Sequence, residues 1–294
     1  MQLAGTYTAL ITPFNDGQLD EARLRANLDD QLAAGITGVV PVGTTGESPT
    51  LTHDEHRRVI DLTVEHIAGR CQVIAGTGSN ATAEAIELTQ HAKAAGADAA
   101  LLVNPYYNKP NQDGLTRHFL AIADAVDLPL VLYNIPGRTN ILMAPATAAR
   151  LAEHPNIIGI KDATGSMDIA SELAAETDLA VISGDDSMTL PLMVVGGTGV
   201  ISVLSNLMPD RVKALVHAAA TDDLPLARKL HQDLFALCKG LLTLGTNPIP
   251  IKAAMAIAGK DTGELRLPLT PLDDATTATL QALLSRAGLT PQPA

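Results

Sequence analysis

One lysine stands where an amine could do covalent chemistry. Lys161 ends the apolar run 157–160, and strand alternation predicts that it shares a face with Ile157 and Gly159. Burial disfavours the charged ammonium, so we expect the pKa of Lys161 to lie below its usual range. An amine that is partly neutral near pH 7 attacks a ketone and forms a Schiff base, which acts as an electron sink.

Acidic residues near Lys161 leave a second interpretation open. Asp162 and Asp185 stand at the ends of apolar runs, and an ion pair with either would make the lysine structural. Tyr133 ends a further run, where its phenol could relay protons to a carbonyl adduct. The alternative is a tyrosine that only fills the core.

A loop rich in glycine and threonine predicts an anion site. Residues 43–48, Gly-Thr-Thr-Gly-Glu-Ser, offer backbone N–H donors and hydroxyls suited to a small carboxylate, with phosphate as the rival ligand. Arg138 follows the turn at 135–137 and could clamp a carboxylate with two hydrogen bonds. The alternative is a solvated loop arginine. No GxxxxGKS/T motif is present in the sequence, and residues 196–199 resemble a barrel phosphate loop only weakly.

These candidate residues follow short apolar runs that alternate with segments of helical period. Such alternation predicts parallel strands joined by helices. Eight strand-and-helix units in about 205 residues, or about 25 residues each, suit a closed (β/α)8 TIM barrel better than an open doubly wound sheet. In such a barrel the catalytic groups lie at the carboxyl ends of the strands. The predicted strands span residues 7–11, 38–42, 72–75, 99–103, 129–133, 157–161, 180–183 and 200–203.

Beyond residue 206 the strand pattern stops and helical segments continue. We therefore predict an α/β chain of two parts, a catalytic barrel over residues 1–223 and a C-terminal helical region over 224–294 that packs on the barrel. The uncharged segment 190–208 is interpreted as a buried helix followed by a strand rather than a membrane span, because it contains Pro191 and three glycines.

Composition excludes several classes of function. The 294 residues carry 20 basic and 32 acidic side chains, a net charge of −12, which disfavours nucleic acid and anionic membrane surfaces as partners. Cys71 and Cys238 lack CxxC spacing and neighbouring histidines, so neither a disulfide nor a metal site is expected. The N-terminus lacks the features of a secretory signal, and we expect a cytoplasmic protein.

Three long motifs together resemble the dihydrodipicolinate synthase / N-acetylneuraminate lyase family. They are Gly43–Glu47, Tyr133–Thr139 and Gly159–Gly165. Shorter matches extend the resemblance over essentially the whole chain, at residues 75–78, 105–108, 183–186, 199–202 and 247–250. The resemblance implies a (β/α)8 barrel lyase that needs neither a metal nor an organic cofactor.

The resemblance also implies roles for individual residues. In the family, the lysine matching Lys161 forms a Schiff base with pyruvate, and the tyrosine matching Tyr133 shuttles protons. Thr44 would link Tyr133 to Tyr107, which in the synthases reaches across a dimer interface into the partner's site. These dimers usually pair, so a homotetramer is implied. The residues matching the pyruvate site are Thr45, Gly184 and Ile201.

Arg138 separates two branches of the family. The synthases carry arginine there to hold the carboxylate of L-aspartate-4-semialdehyde, whereas sialic acid lyases lack it. The implied activity is condensation of pyruvate with that semialdehyde, the first committed step of the diaminopimelate route to lysine. The alternatives are an aldolase that cleaves a 2-keto-3-deoxy sugar acid and a catalytically silent relative that binds small acids.

Six further matches imply a second site. In bacterial synthases these positions bind L-lysine as a feedback inhibitor, and the glutamate matching Glu84 pairs with the lysine ammonium. The alternative for His53, His56 and Glu84 is the ordinary polarity of a helix surface. Pro49 follows Ser48 and would stiffen the loop that carries it. The matching residues are Ser48, His53, His56, Asn80, Glu84 and Tyr106.

Overall fold

Eight parallel strands form a closed barrel in the computed structural model, which describes residues 1–289. Over these residues the chain has ten strands, of which β2 and β3 form a separate antiparallel pair and the other eight form the barrel. They are β1 (Gly5–Ala9), β2 (Phe14–Asn15), β3 (Gln18–Leu19), β4 (Gly38–Val40), β5 (Gln72–Gly76), β6 (Ala99–Val103), β7 (Leu130–Asn134), β8 (Ile157–Asp162), β9 (Ala180–Ser183) and β10 (Gly199–Ser202). The ring runs from β1 through β4 to β10 in chain order, and β10 pairs with β1. The predicted (β/α)8 TIM barrel is therefore confirmed.

Helices separate the barrel strands and continue after the last of them. They are α1 (Glu21–Ala34), α2 (His53–Ile67), α3 (Thr82–Ala95), α4 (Gln112–Ala125), α5 (Pro136–Thr139), α6 (Pro145–Ala152), α7 (Met167–Glu176), α8 (Thr189–Val194), α9 (Pro209–Ala220), α10 (Leu224–Thr243), α11 (Ile249–Ile257) and α12 (Asp274–Arg286). Local signals set their ends. For example, Thr52 and Glu55 form a capping box at the start of α2.

Alternating strand residues divide the core into two layers. One layer fills the barrel and includes Val131, Tyr133, Ile182 and Ile201. The other lies between the strands and the surrounding helices. Because successive residues of a strand point to opposite faces, each barrel strand contributes to both layers, and a side chain at an inward position is enclosed by the whole ring.

One predicted face is wrong in the structure. The sequence pattern placed Ile157 on the same face as Lys161, but Ile157 packs in the outer layer and Ile158 against the barrel interior. The register between β7 and β8 shifts by one residue at this point, so that Leu130 pairs with Ile157 and Val131 with Gly159. An extra residue of this kind reverses the alternation, and Lys161 still faces inward.

The C-terminal helices pack on the end of the barrel. Residues of α10, α11 and α12 share one buried cluster with Ile11 and with Val200 of β10. Helix α10 begins at Leu224, next to the predicted boundary at residue 223, although the division into two parts stays a prediction. Residues 290–294 of the predicted C-terminal region lie outside the described residues.

Across residues 1–289, every helix is too short or too polar to cross a membrane. The uncharged segment 190–208 contains the helix α8 and the strand β10, in the order that the sequence predicts.

Candidate active site

Lys161 lies inside the barrel, near the carboxyl end of β8, beside Tyr133. The two residues are paired in register on β8 and β7, and the Lys161 Nζ lies 4.3 Å from the centroid of the Tyr133 ring. Lys161 is 5% exposed. Asp162 accepts a hydrogen bond from the Thr164 hydroxyl, and Asp185 accepts two from Ser187. Both carboxylates are thus engaged away from Lys161, contrary to the ion-pair interpretation.

Burial lowers the pKa of Lys161 to about 7. The negative charge of Asp186 raises this pKa and the positive charge of Arg138 lowers it, but the loss of hydration dominates. At neutral pH a large fraction of this amine is therefore uncharged and nucleophilic. The sequence-based expectation of a lowered pKa is confirmed.

The Tyr133 phenol keeps its proton in the resting site. Burial raises its pKa to about 12, while the charge of Arg138 and the nearby side chain of Thr44 lower it. A protonated phenol beside a neutral amine can donate a proton to an oxygen that leaves during imine formation.

Gly184 leaves room for the lysine side chain. A Cβ added to Gly184 would lie 3.0 Å from the Cε of Lys161 and 2.9 Å from the Cβ of Ala163, so glycine keeps space beside the amine. The Gly184 N–H donates to the Asp162 carbonyl at 2.7 Å. Ile201 is fully buried on β10 and belongs to the same interior layer as Tyr133.

The loop at residues 43–48 brings both threonines to the site. The Gly46 N–H donates to the Gly43 carbonyl at 3.1 Å, and the Glu47 N–H to the Thr44 carbonyl at 3.2 Å. These turns expose the Thr44 side chain to the cavity and leave Thr45 3% exposed. The loop follows β4, at the carboxyl end of the barrel, where the fold predicts catalytic groups.

Asn247 is a site residue that the sequence reasoning missed. Its Nδ2 donates to the Thr45 hydroxyl at 3.0 Å, and its carbonyl accepts a hydrogen bond from the Nη2 of Arg138 at 2.7 Å. Its Oδ1 is buried without a hydrogen-bond partner. The motif at 247–250 was noticed in the sequence, but nothing local indicated that it reaches residues more than a hundred positions away.

Asp186 is a second group without a sequence-based assignment. It accepts hydrogen bonds from the backbone N–H groups of Val203 and Leu204, at 2.9 and 3.0 Å, and from the hydroxyl of Ser202. Burial raises its pKa, and the hydrogen bonds oppose that shift. Its negative charge raises the pKa of Lys161.

A cavity of about 410 Å³ joins the two predicted sites in one chain. Its lining includes five residues of the predicted catalytic and substrate-binding set, which are Thr44, Thr45, Tyr133, Arg138 and Lys161. It also includes five residues of the second predicted set, which are Ser48, His53, His56, Glu84 and Tyr106. Tyr107 does not line this cavity, and its side chain is 90% exposed.

The residues of the second set contact one another at the outer end of the cavity. The Nε2 of His53 lies 2.9 Å from the Oε1 of Glu84, and the hydroxyl of Ser79 donates to the same carboxylate. The Nδ2 of Asn80 donates to the Tyr106 carbonyl at 3.1 Å.

His56 differs from these neighbours because it is buried. It is 4% exposed, and its Nδ1 has no hydrogen-bond partner. Burial lowers its pKa to about 4, so the ring is neutral at pH 7. The residue also contributes to the lining of the cavity.

Metal binding has no candidate cluster in the described part of the chain. Within residues 1–289, no three His, Cys, Asp or Glu side chains are grouped so that they could hold a metal ion. The expectation that no cofactor is needed stays a prediction.

Comparison with known proteins identifies close relatives. A model of the dihydrodipicolinate synthetase family matches residues 2–287. The 4-hydroxy-tetrahydrodipicolinate synthase of Pelobacter propionicus is 54% identical over 287 residues, which cover 97% of this chain and 99% of the relative.

Solved structures agree over almost the same length. Dihydrodipicolinate synthase from Aquifex aeolicus has a TM-score of 0.97 and 45% identity, and the match covers 99% of this chain and 100% of that one. The Acinetobacter baumannii enzyme complexed with pyruvate has a TM-score of 0.95, 44% identity, and coverage of 98% and 100%. The lysine-bound enzyme from Cyanidioschyzon merolae has a TM-score of 0.94, 40% identity, and coverage of 97% and 98%.

Proposed function

The chain belongs to the dihydrodipicolinate synthetase family, and we propose that it joins pyruvate to L-aspartate-4-semialdehyde through a Schiff base on Lys161. It is a lyase of the 4-hydroxy-tetrahydrodipicolinate synthase type. The observation that carries the proposal is a buried lysine whose pKa is lowered to about 7, set beside the Tyr133 phenol. A relative with 44% identity has been solved with pyruvate.

The reaction begins at the neutral amine of Lys161. The nitrogen attacks the ketone carbon of pyruvate, and loss of water gives an imine. Removal of a methyl proton converts the imine to an enamine, whose carbon attacks the aldehyde carbon of the semialdehyde. The amine of the semialdehyde then attacks the imine carbon, closes the ring and releases Lys161. One water leaves overall, and no oxidation occurs.

Proton transfers are assigned to Tyr133, Thr44 and Tyr107. In this proposal Thr44 connects the Tyr133 phenol to Tyr107 of a second copy of the chain. Two observations support it. Thr44 interacts with Tyr133, and Tyr107 extends into solvent from a backbone with φ of 73°. The proposal requires at least a dimer, and we propose a homotetramer of two such dimers.

Substrate binding is divided between two carboxylate sites. We assign the pyruvate carboxylate to Thr45, with Gly184 and Ile201 lining the pocket, and the semialdehyde carboxylate to Arg138. The guanidinium lines the same cavity as Lys161, and its charge influences both Lys161 and Tyr133. A charge-assisted pair at this position favours an acidic aldehyde over a neutral sugar aldehyde.

L-lysine is the proposed inhibitor at the outer end of the cavity. Glu84 offers a carboxylate for the ligand ammonium, and the other proposed contacts are Ser48, His53, His56, Asn80 and Tyr106. Five of these six residues line one cavity, which supports a ligand there, as does a relative solved with lysine bound. Inhibition also requires that lysine bind one state of the enzyme more tightly than another. The expected cytoplasmic location likewise stays a prediction.

The decisive experiment measures pyruvate consumption by the purified protein. Aspartate semialdehyde, N-acetylmannosamine and glyceraldehyde are offered in parallel, each with and without L-lysine. We expect consumption only with the semialdehyde, and a lower rate when lysine is added. Consumption with a sugar aldehyde would move the chain to the aldolase alternative, and no consumption at all would favour the silent relative.

A further inference from the structure

A fully buried ion pair connects the loop that carries Thr44 and Thr45 to the helix α11. The Nζ of Lys252, on α11, is 2.7 Å from the Oε1 of Glu47, and both side chains are 0% exposed. Neither residue has a role in the proposed chemistry. A buried pair is costly to desolvate and stays only where further hydrogen bonds satisfy both groups.

Further contacts hold both members of the pair. Lys252 also donates to the Thr12 carbonyl at 2.9 Å, and its Nζ lies 4.3 Å from the centroid of the Phe14 ring. The second oxygen of Glu47 accepts from the Arg266 N–H at 3.2 Å. The pair therefore connects the segment that follows β1, the loop at residues 43–48 and the C-terminal helical region at one point.

The loop backbone depends on an external support of this kind. Glu47 has a φ of 53°, a left-handed conformation that a residue with a Cβ keeps only when its surroundings hold it. Its N–H closes the turn on the Thr44 carbonyl at 3.2 Å. On the other side, the Thr12 hydroxyl donates to the Gly46 carbonyl at 2.7 Å.

The start of α11 reaches the same loop a second time. Asn247, five positions before Lys252, donates to the Thr45 hydroxyl at 3.0 Å. Two residues of one chain segment thus contact the loop at Thr45 and at Glu47. This segment, which comprises the first turns of α11 and the residue two positions before it, therefore holds the loop at two points.

We propose that Glu47 and Lys252 are positioning residues, which hold the Thr44–Thr45 loop in the conformation that binds pyruvate. The C-terminal helical region is then a working part of the active site rather than an appendage. The inference rests on the proposed function, because it assumes that these threonines serve pyruvate. A purely structural ion pair would contribute to folding and leave pyruvate binding in the folded protein unaltered.

The test compares Glu47→Gln and Lys252→Met with a control in the purified full-length chain. Borohydride traps the pyruvate adduct, and its yield against pyruvate concentration gives a half-saturating value. Hydrogen–deuterium exchange of residues 43–48 reports the loop independently. The control is Lys260→Met, because Lys260 pairs with Asp30 at 2.5 Å and also links the C-terminal region to the barrel, but away from the loop.

We expect the half-saturating pyruvate concentration to rise by at least about tenfold in the folded variants, since small displacements of binding groups have large effects. The yield at saturating pyruvate should stay at the wild-type level, and exchange in the loop should accelerate. Lys260→Met should match wild type in both. If a single variant does not fold, Glu47→Gln/Lys252→Met, which leaves no unpaired buried charge, takes its place.

Two results would overturn the inference. One is a folded variant with wild-type half-saturation and wild-type exchange in the loop. The other is an equal change in Lys260→Met, which would indicate general loosening. Failure of the proposed function looks different, because wild type would then trap no pyruvate adduct, while exchange in the loop would still show whether the pair holds it.

Discussion

Two walls of one cavity carry opposite kinds of chemistry. The inner wall consists of Ala9, Val40, Leu101, Tyr133 and Lys161, and the outer wall of Ser48, His53, Glu84 and Tyr106. In the inner wall an amine is enclosed by apolar side chains, and burial lowers its pKa to about 7. In the outer wall, His53 is 59% exposed and pairs with Glu84 at 2.9 Å.

The difference in burial between the two walls explains how the interior of a barrel can lower the pKa of a lysine. A lysine becomes reactive where its surroundings do not stabilise the ammonium, and the charge of Asp186 opposes that effect only in part. Ionic recognition needs the reverse, a charge that is kept and paired near water. The two walls can therefore share one cavity only because ring closure buries one end and leaves the other end open.

Lys161→Ala tests the inner wall and should have the largest effect. Pyruvate-dependent turnover should fall by at least about 10³-fold, because the covalent step is lost. Steady-state kinetics measure the loss, and intact mass after borohydride treatment with pyruvate should show no adduct. Lys93→Ala, an exposed lysine on α3, is the control. Turnover that survives Lys161→Ala would show that the assignment of the nucleophile is wrong.

Arg138→Ala separates the second substrate from the first. Charge-assisted hydrogen bonds are worth about 1.5–3 kcal/mol, so the KM for aspartate semialdehyde should rise by about 10- to 100-fold. Pyruvate adduct formation should change much less, because the imine forms on Lys161. Kinetics with each substrate varied in turn, compared with Arg150→Ala on α6, measure both effects. Equal losses for the two substrates would contradict the division of the carboxylate sites.

The pH dependence of adduct formation tests the burial argument itself. Burial moves the Lys161 pKa down from 10.5 to about 7, so the reactive neutral amine is the main form above that pH. The rate of trapping should fall about tenfold per pH unit below 7 and level off above it. A rate that keeps rising to pH 10 would mean that Lys161 is solvated like an ordinary lysine.

Glu84→Gln tests the outer wall and should have the smallest effect. Loss of one ion pair with the ligand ammonium should raise the lysine concentration for half-inhibition by about tenfold. Inhibition curves at fixed pyruvate measure this change. Glu87→Gln is the matched control, since Glu87 stands on the same helix and pairs with Arg57. An unchanged curve for Glu84→Gln would remove Glu84 from the lysine site.

Much of the fold could be predicted because its signals are local. Apolar runs and helical periods located all eight barrel strands to within about two residues of their ends. A hairpin was missed at β2 and β3, although Asp16 and Gly17, with φ of 51° and 77°, form the two-residue turn that such a dipeptide favours. The strands on either side have only two residues each, too few for a periodic signal.

The site could be predicted only where chemistry is visible in a single strand or loop. Lys161 was found because a lysine at the end of an apolar run is unusual, and its lowered pKa followed from burial alone. Lys252 stands in the apolar segment 248–258, which has no polar residue at the end of a strand to indicate a site because it forms the helix α11, and it was overlooked although it is even more completely buried. The one-residue shift beside Leu130 was also invisible, because it arises in the pairing of two strands.

The sequence by itself determined the barrel, its strand order and the choice of Lys161 as the candidate nucleophile, since each depends on periodicity or on a rare residue in a local context. Only the tertiary structure decided which distant groups share the site. Asn247 reaches Thr45 across 202 positions and Lys252 reaches Glu47 across 205. Such contacts depend on the packing of whole elements, and no local pattern records which surfaces will meet when the ring closes.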